Sequence, residues 1–593
     1  MDAAIRFRPS RPLGFLFALL LALPAGAART GTAAIAAPDE FGARAALAVM
    51  RRGGNAVDAA VATAFVLAVT YPEAGNLGGG GFMMIYMDGK PAFVDYRETA
   101  PAAASRDMYL DEKGEVIADA STIGPKAAGV PGTVAGLWLA HQRYGKRPWR
   151  ELLQPAIRLA RQGFTAPLHM ARRIEEARPD YAGRTNFDKY FGNVHGAEVF
   201  HQPDLAATLE RIAAAGAKEF YQGRTAQLIV RQMRTGGLIT AKDLAGYQAR
   251  WREPLVGQWR GMQLLTAPLP SSGGFALIEL LEMHDALAAQ FAGLAHNSTQ
   301  YVHLIAEMEK RVFADRAEYL GDPDFVKVPI EQLIDSGYIA RRAAEVRLDG
   351  ISPVESVKPG LQQLPAEGMH TTHFSILDPH GNAVANTYTL NGWYGDGVVV
   401  EGAGFLLNNE MDDFSIKAGV PNLYGVVGGN ANAIEPGKRM LSSMSPTIAL
   451  RDGRVALVIG TPGGSTIFTS VFQAFLNLYD FHMTPKEAVS AGRFHHQLLP
   501  PDRIIYSPCC ALPRDTIEGL RKLGYTPQQS PWEFGDLQAI EVSDQGEVTA
   551  GSDARGRGLS LVESVTLPGP ARRPAHRSSP ACPAGQACGP ASP

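Results

Sequence analysis

Gly368-Met369-His370-Thr371-Thr372-His373-Phe374-Ser375 marks a change of texture in the chain. Before it, residues 351–367 are broken by prolines and glycines, which argue for an exposed, poorly structured segment that can be cut. After it, residues 373–377 and 383–391 alternate with period two on either side of Asp378-Pro379-His380-Gly381-Asn382, a turn sequence. A turn centred near His380 pairs Thr371 with Thr389 in an antiparallel hairpin and leaves Asn391 just past its end. Two threonine hydroxyls and an amide are thereby gathered at one end of a hairpin.

Working downstream, residues 397–400 and 404–407 read as further strands, followed by Asn408-Asn409-Glu410-Met411-Asp412-Asp413-Phe414, an acidic turn of the kind that is usually solvated. Residues 421–436, rich in glycine and asparagine around Tyr424, form a loop long enough to act as a lid. Strands at 447–450 and 454–459 then end in Gly460-Thr461-Pro462-Gly463-Gly464-Ser465 and a helix over 466–478. Backbone N–H groups at a helix N-terminus, unobstructed by side chains, are suited to negative charge and can form an oxyanion hole. A tight strand-to-helix turn would look the same.

Working upstream, residues 41–50 read as a helix closed by Gly53-Gly54. Asn55 and Asp58 form a capping box for a second helix over 56–69. That helix is small and apolar all round, so it should be buried and packed on a sheet. Gly78 to Gly81 lead into a strand at 82–86; no Gly-Lys-Ser/Thr follows, so the glycines indicate close backbone approach and not a phosphate cradle. A strand at 92–96 runs into Arg97, a candidate carboxylate binder. Residues 132–347 are mainly helical, with stretches at 152–162, 204–215 and 301–319, and read as the cladding of one large domain.

The chain has 593 residues, 46% of them hydrophobic and 19% charged, which is ordinary globular composition. A net charge of -3 and the lack of a basic run give no reason to expect nucleic acid. Arg6, Arg8 and Arg11, the apolar run 13–23 and Ala25-Gly26-Ala27 read as a signal peptide over 1–27, too short for a comfortable membrane span. The expectation is an exported protein, periplasmic or secreted, with no membrane span once mature. The four cysteines, Cys509, Cys510, Cys582 and Cys588, do not make a disulfide framework, and no group has metal-ligand spacing. From 568 to 593 the Pro/Ala/Arg/Ser tail reads as disordered.

Long blocks in order carry a resemblance. They include Arg52-Gly53-Gly54-Asn55-Ala56-Val57-Asp58, Gly75-Asn76-Leu77-Gly78-Gly79-Gly80-Gly81-Phe82, Gly129-Val130-Pro131-Gly132-Thr133, Thr371-Thr372-His373, Asn408 to Phe414, Leu441-Ser442-Ser443-Met444-Ser445-Pro446 and Gly463-Gly464-Ser465. Through them the chain resembles the gamma-glutamyltranspeptidase family of N-terminal-nucleophile hydrolases from about residue 39 to 555. The resemblance implies a four-layer αββα sandwich made as a proenzyme that cuts itself at His370-Thr371. The products would be a large subunit, 28–370, and a small subunit, 371–567, held as a heterodimer.

It further implies that Thr371 is the nucleophile, that Thr389 bonds its hydroxyl and that Gly463 and Gly464 form the oxyanion hole. Arg97, Ser442 and Ser443 would hold the substrate's α-carboxylate, and Asn391, Glu410 and Asp413 its α-ammonium, on opposite sides of a pocket; Tyr424 would sit in the lid. Glutathione and other gamma-glutamyl compounds would be donors, water or amino acid and peptide amines acceptors, with no cofactor. Ala554 departs from the family's Ser-Asp-Pro-Arg block. A glutaryl- or cephalosporin-type acylase on the same fold is the nearest alternative, disfavoured by Asp413; a non-processing secreted binding protein is a more distant one.

Overall fold

The computed structural model describes residues 30–360, 371–417 and 429–567. Thirteen strands build two antiparallel sheets. They are β1 (Thr30–Ala37), β2 (Gly80–Met87), β3 (Lys90–Asp95), β4 (Arg250–Arg252), β5 (Leu255–Trp259), β6 (Met262–Thr266), β7 (Thr372–Leu377), β8 (Ala383–Thr389), β9 (Thr447–Arg451), β10 (Arg454–Gly460), β11 (Gln538–Val542), β12 (Val548–Ser552) and β13 (Leu559–Thr566). The first sheet runs β13-β1-β7-β8-β2-β3-β4 and the second β12-β11-β10-β9-β6-β5.

The period-two side-chain alternation of the strands divides the apolar residues among three layers of core. Ala34, Ala36, Phe82, Met84, Leu377, Ile448 and Val458 point between the sheets. Their neighbours Ile35, Met83, Ile85 and Ile376 face helices on one side, and Ala449, Leu457 and Ile459 face helices on the other. Helices, sheet, sheet, helices: this is the αββα sandwich, and it sets the hairpin β7–β8 in the middle of the first sheet.

Helix α1 (Glu40–Arg51) is capped by Asp39, whose Oδ1 accepts from the Phe41 and Gly42 N–H groups. Helix α2 (Ala56–Thr70) starts at the Asn55/Asp58 capping box and is buried at every residue. It has no polar face because it lies between β7 and β8 on one side and more helices on the other, with Phe65 edge-on to Trp149 at 5.4 Å. In the second helical layer, α3 (Gly273–Ala286) and α4 (Thr299–Tyr319) pack with α5 (Thr466–Tyr479).

Several expectations need correction. The span 132–347 is not only cladding: β5 and β6 form a hairpin at the edge of the second sheet, turned by Arg260 and Gly261, both with positive φ. Residues 397–407 hold no strand of their own, only isolated bridges from Val399 to Leu406 and from Leu407 to Gly78, because Gly397, Gly402 and Gly404 at positive φ curl the chain. Residues 351–360 are anchored, not loose. The Gly360 N–H donates to Asp315 Oδ1 at 2.7 Å, the Ser352 N–H to Glu307 Oε1 at 3.1 Å, and Val357 is buried. The expected signal 1–27, His370, the remainder of the cuttable segment, Tyr424, the tail from 568, Cys582 and Cys588 all lie outside the described residues.

Candidate active site

The register of β7 and β8 pairs Leu377 with Ala383 and Thr372 with Tyr388, so Thr371 stands opposite Thr389 at the open end of the hairpin. The turn closes through Asp378, whose N–H donates to the Asn382 carbonyl at 2.8 Å. Thr389 Oγ1 accepts the Asn391 N–H at 2.8 Å, and Asn391 itself sits at φ 69°, turning the chain back over the site. Gly79 and Gly80 allow this end of the sheet to close: a Cβ at Gly79 would lie 1.9 Å from the Thr389 carbonyl oxygen, and one at Gly80 would lie 2.6 Å from Glu98 Oε2.

Thr371, 4% exposed, lines two openings. The first is a small cavity bounded by Arg97, Asn391, Glu410, Asp413, Ser442, Ser443 and Gly464. Arg97 lies two residues beyond β3, its N–H bound to Asp95 Oδ1 at 3.0 Å. Glu410 and Asp413 occupy a one-turn 3-10 helix, Glu410–Asp413, which is buried, not solvated as acids in a turn usually are. Asn408 fixes that turn: its Nδ2 donates to the Gly78 and Gly129 carbonyls at 2.8 and 2.9 Å, and its Oδ1 accepts the Glu410 N–H at 3.0 Å.

The charges touch; they do not stand on opposite sides. Arg97 Nη1 bonds Glu410 and Nη2 bonds Asp413, while Nε and Nη2 also donate to the Met440 and Leu441 carbonyls at 3.2 and 3.1 Å. Glu98 lies 3.7 Å from the same guanidinium. Three carboxylates thus crowd one buried guanidinium. Burial pushes Glu98 up to about 7 against the pull of Arg97, and burial holds Glu410 well above the usual carboxylate range and Asp413 above it. Among the described residues Glu410 Oε2 and Asp413 Oδ1 receive no hydrogen bond, so the cluster can accept further donors.

Ser442 and Ser443 are held by the helical layer behind them. The Ser442 carbonyl accepts the Ser272 N–H at 2.7 Å, and Ser443 Oγ accepts from Arg316 Nη2 at 2.8 Å, while Arg316 Nε donates to Ser272 Oγ at 2.7 Å. Arg316 and Glu98 are site residues that the sequence reading missed. The signal for Arg316 was in α4: Glu307, Glu309, Lys310, Arg311, Asp315 and Arg316 fall on all sides of one helix, which no solvated face can accommodate, and all are buried.

Gly463 and Gly464, with φ 133° and 57°, lead into α5. Gly464 lines the first cavity and Gly463 the second opening, so the glycine pair straddles Thr371 at a helix N-terminus. The adjacent Ser465 contacts His495 Nε2 at 3.3 Å, but both side chains are sealed in the core, burial pushes His495 down to about 3, and its Nδ1 meets Thr469, not an acid. It is a packed polar contact and not a serine-hydrolase pair. Among the described residues no group of acids, histidines and cysteines could hold a metal, and no helix is long and apolar enough to cross a membrane.

The family model for gamma-glutamyltranspeptidase matches residues 42–562. The glutathione hydrolase proenzyme of Pseudomonas aeruginosa is 60% identical over 530 residues, covering 89% of this chain and 94% of that protein. Among solved structures, the gamma-glutamyltranspeptidase from Pseudomonas nitroreducens complexed with L-DON is 59% identical with a TM-score of 0.55, over 55% of this chain and 98% of that one. The cephalosporin acylase from Bacillus halodurans is 25% identical with a TM-score of 0.78, over 94% and 98%.

Proposed function

The chain belongs to the gamma-glutamyltranspeptidase family, and we propose that its work as a self-processing gamma-glutamyltransferase and glutathione hydrolase runs through Thr371 and the cavity beside it. The observation that carries this reading is the convergence of a guanidinium, two under-satisfied carboxylates and two serines on one buried hydroxyl. An amino acid headgroup complements such a set: its α-carboxylate takes Arg97, Ser442 and Ser443, and its α-ammonium takes Asn391, Glu410 and Asp413. To enter, it separates Arg97 from the acids it now bonds.

In this reading the proenzyme cuts the His370-Thr371 bond, giving a large subunit of 28–370 and a small subunit of 371–567. The freed α-amine of Thr371, with an ordinary pKa of about 7.7–8.0, is the base that its own hydroxyl otherwise lacks. Oγ1 attacks the γ-carbonyl, and the N–H groups around Gly463 and Gly464 meet the developing oxyanion. The leaving amine departs with the proton, and the γ-glutamyl ester on Thr371 passes to water or to an amino acid or peptide amine. Thr389 orients the site. An exported, periplasmic or secreted location accords with the apolar run 13–23.

A glutaryl-type acylase would have no α-ammonium to place against Glu410 and Asp413, which favours the γ-glutamyl substrate. The test is to mix the purified protein with a γ-glutamyl anilide, quench in acid and map the acylated peptide by mass spectrometry. A γ-glutamyl group on an N-terminal Thr371 is the expected result; acylation elsewhere, or an intact His370-Thr371 bond in active protein, overturns it.

A further inference from the structure

During transfer the first cavity is filled by the α-groups of the γ-glutamyl moiety, so the acceptor has to reach Thr371 from the other opening. That opening is lined by Thr371, Gly463, Glu73, Glu533, Asp536 and Gly556 among others. Its carboxylates are not equivalent. Glu73 is paired with Arg557 at 2.6 Å, and Glu533 with Arg555 at 3.3 Å. Asp536 is 6% exposed, and its Oδ1 accepts from Gln538 Nε2 at 2.8 Å; among the described residues it has no ion pair and its Oδ2 receives no hydrogen bond.

We propose that Asp536 receives the α-amine of the acceptor amino acid or dipeptide, and of the departing one in the first half-reaction. The inference rests on the transfer chemistry above and names the residue that binds its second substrate. Asp536 is tied to the oxyanion loop: its N–H donates to Thr461 Oγ1 at 2.9 Å, and Thr461 precedes Pro462 and Gly463. Gly556 leaves room for the carboxylate, since a Cβ there would lie 2.5 Å from Oδ2. Burial, reinforced by Asp553, holds the carboxyl well above its usual range against Arg493, Arg557 and Arg555, which makes the carboxylate a stronger proton acceptor than a solvated one.

The step balances. Asp536 takes one proton from the acceptor's ammonium, and the freed lone pair forms the N–C bond at the γ-carbonyl of the Thr371 ester. A second proton leaves the nitrogen for the Thr371 α-amine and passes to Oγ1 as the C–Oγ1 bond breaks. The products are the new amide, free Thr371 and a protonated Asp536, which returns its proton to solvent.

The test follows two products in one reaction, with a γ-glutamyl anilide as donor and glycylglycine as acceptor: γ-glutamyl-glycylglycine and free glutamate. Removing one charge-assisted contact costs about 1.5 kcal/mol or more, so in Asp536→Asn the ratio of transfer to hydrolysis falls about tenfold and the acceptor KM rises. Gly556→Ala, which crowds the carboxylate without removing it, lowers the ratio in the same direction and decides alone if Asp536→Asn does not fold. An unchanged ratio in the variant that folds overturns the assignment of Asp536 while the acyl-Thr371 species remains. Absence of acyl-Thr371 in the parent protein overturns the function above, and Asp536 with it.

Discussion

Replacing Asp413 by Asn tests the charge logic of the cavity. Asp413, which lines the cavity beside Thr371, bonds Arg97 through Oδ2, and among the described residues its Oδ1 has no donor. An asparagine has nearly the same shape and can still accept from Arg97 through its carbonyl, so the fold and self-cleavage should survive. What is lost is a carboxylate against a desolvated ammonium. A charged hydrogen bond contributes about 1.5–3 kcal/mol, and two charges about 4 Å apart at an effective dielectric of about 20 interact by about 4 kcal/mol. Glu410 stays in place, so about 2–4 kcal/mol is the expected loss. At 1.36 kcal/mol per tenfold this is a fall in kcat/KM of about 30- to 900-fold on a γ-glutamyl anilide. A glutaryl anilide has no ammonium and should change by less than about threefold on the same scale. Both substrates are assayed by anilide release at saturating and limiting concentrations. Equal losses on the two would refute the assignment of Asp413 to the ammonium.

Thr371→Ala should run as one near full-length chain on a denaturing gel, where the parent gives two; a split variant would remove Thr371 from the chemistry. Arg316→Lys keeps a charge but cannot bridge Ser272 and Ser443, so KM for the anilide should rise about tenfold, a loss of about 1.4 kcal/mol, with kcat less affected. Burial raises Glu98 from an ordinary 4.5 to about 7, so in that window the folded state binds more protons than the unfolded one and its contribution to stability falls as pH rises. Glu98→Gln should flatten the melting temperature between about pH 4.5 and 7; a parent curve already flat there would contradict it. Asp58→Ala removes a cap that accepts from the Asn55, Lys146 and Arg147 N–H groups and should cost about 1–2 kcal/mol in urea unfolding, with m unchanged.

The hairpin was legible because turn chemistry fixes a register: Asp378 to Asn382 place Thr371 opposite Thr389 with no tertiary information. The Asn55/Asp58 cap and the glycine pair ahead of α5 were legible for the same reason, each being a local backbone requirement. Arg316 and Glu98 were not, because their meaning lies in partners far along the chain, such as Ser443 and Glu410. The β5–β6 hairpin was hidden by its turn, since Arg260 adopts a positive φ that arginine does not advertise. The contact between Arg97 and the acids was likewise a matter of burial, which no motif states.

The order of the first sheet gives the proposed cut a lasting consequence. Its strands interleave across residue 371: β13 belongs to the later part, β1 to the earlier, β7 and β8 to the later, β2, β3 and β4 to the earlier. Scission ahead of β7 would therefore leave two polypeptides woven through shared ladders, with no seam along which they can part. Separating them means unravelling the whole molecule. Once unravelled, the pieces meet again only by a second-order encounter, with strands that must be threaded in alternation. Maturation in such a topology is a ratchet: the uncut precursor folds as one chain, and the mature form inherits an arrangement it is poorly placed to rebuild.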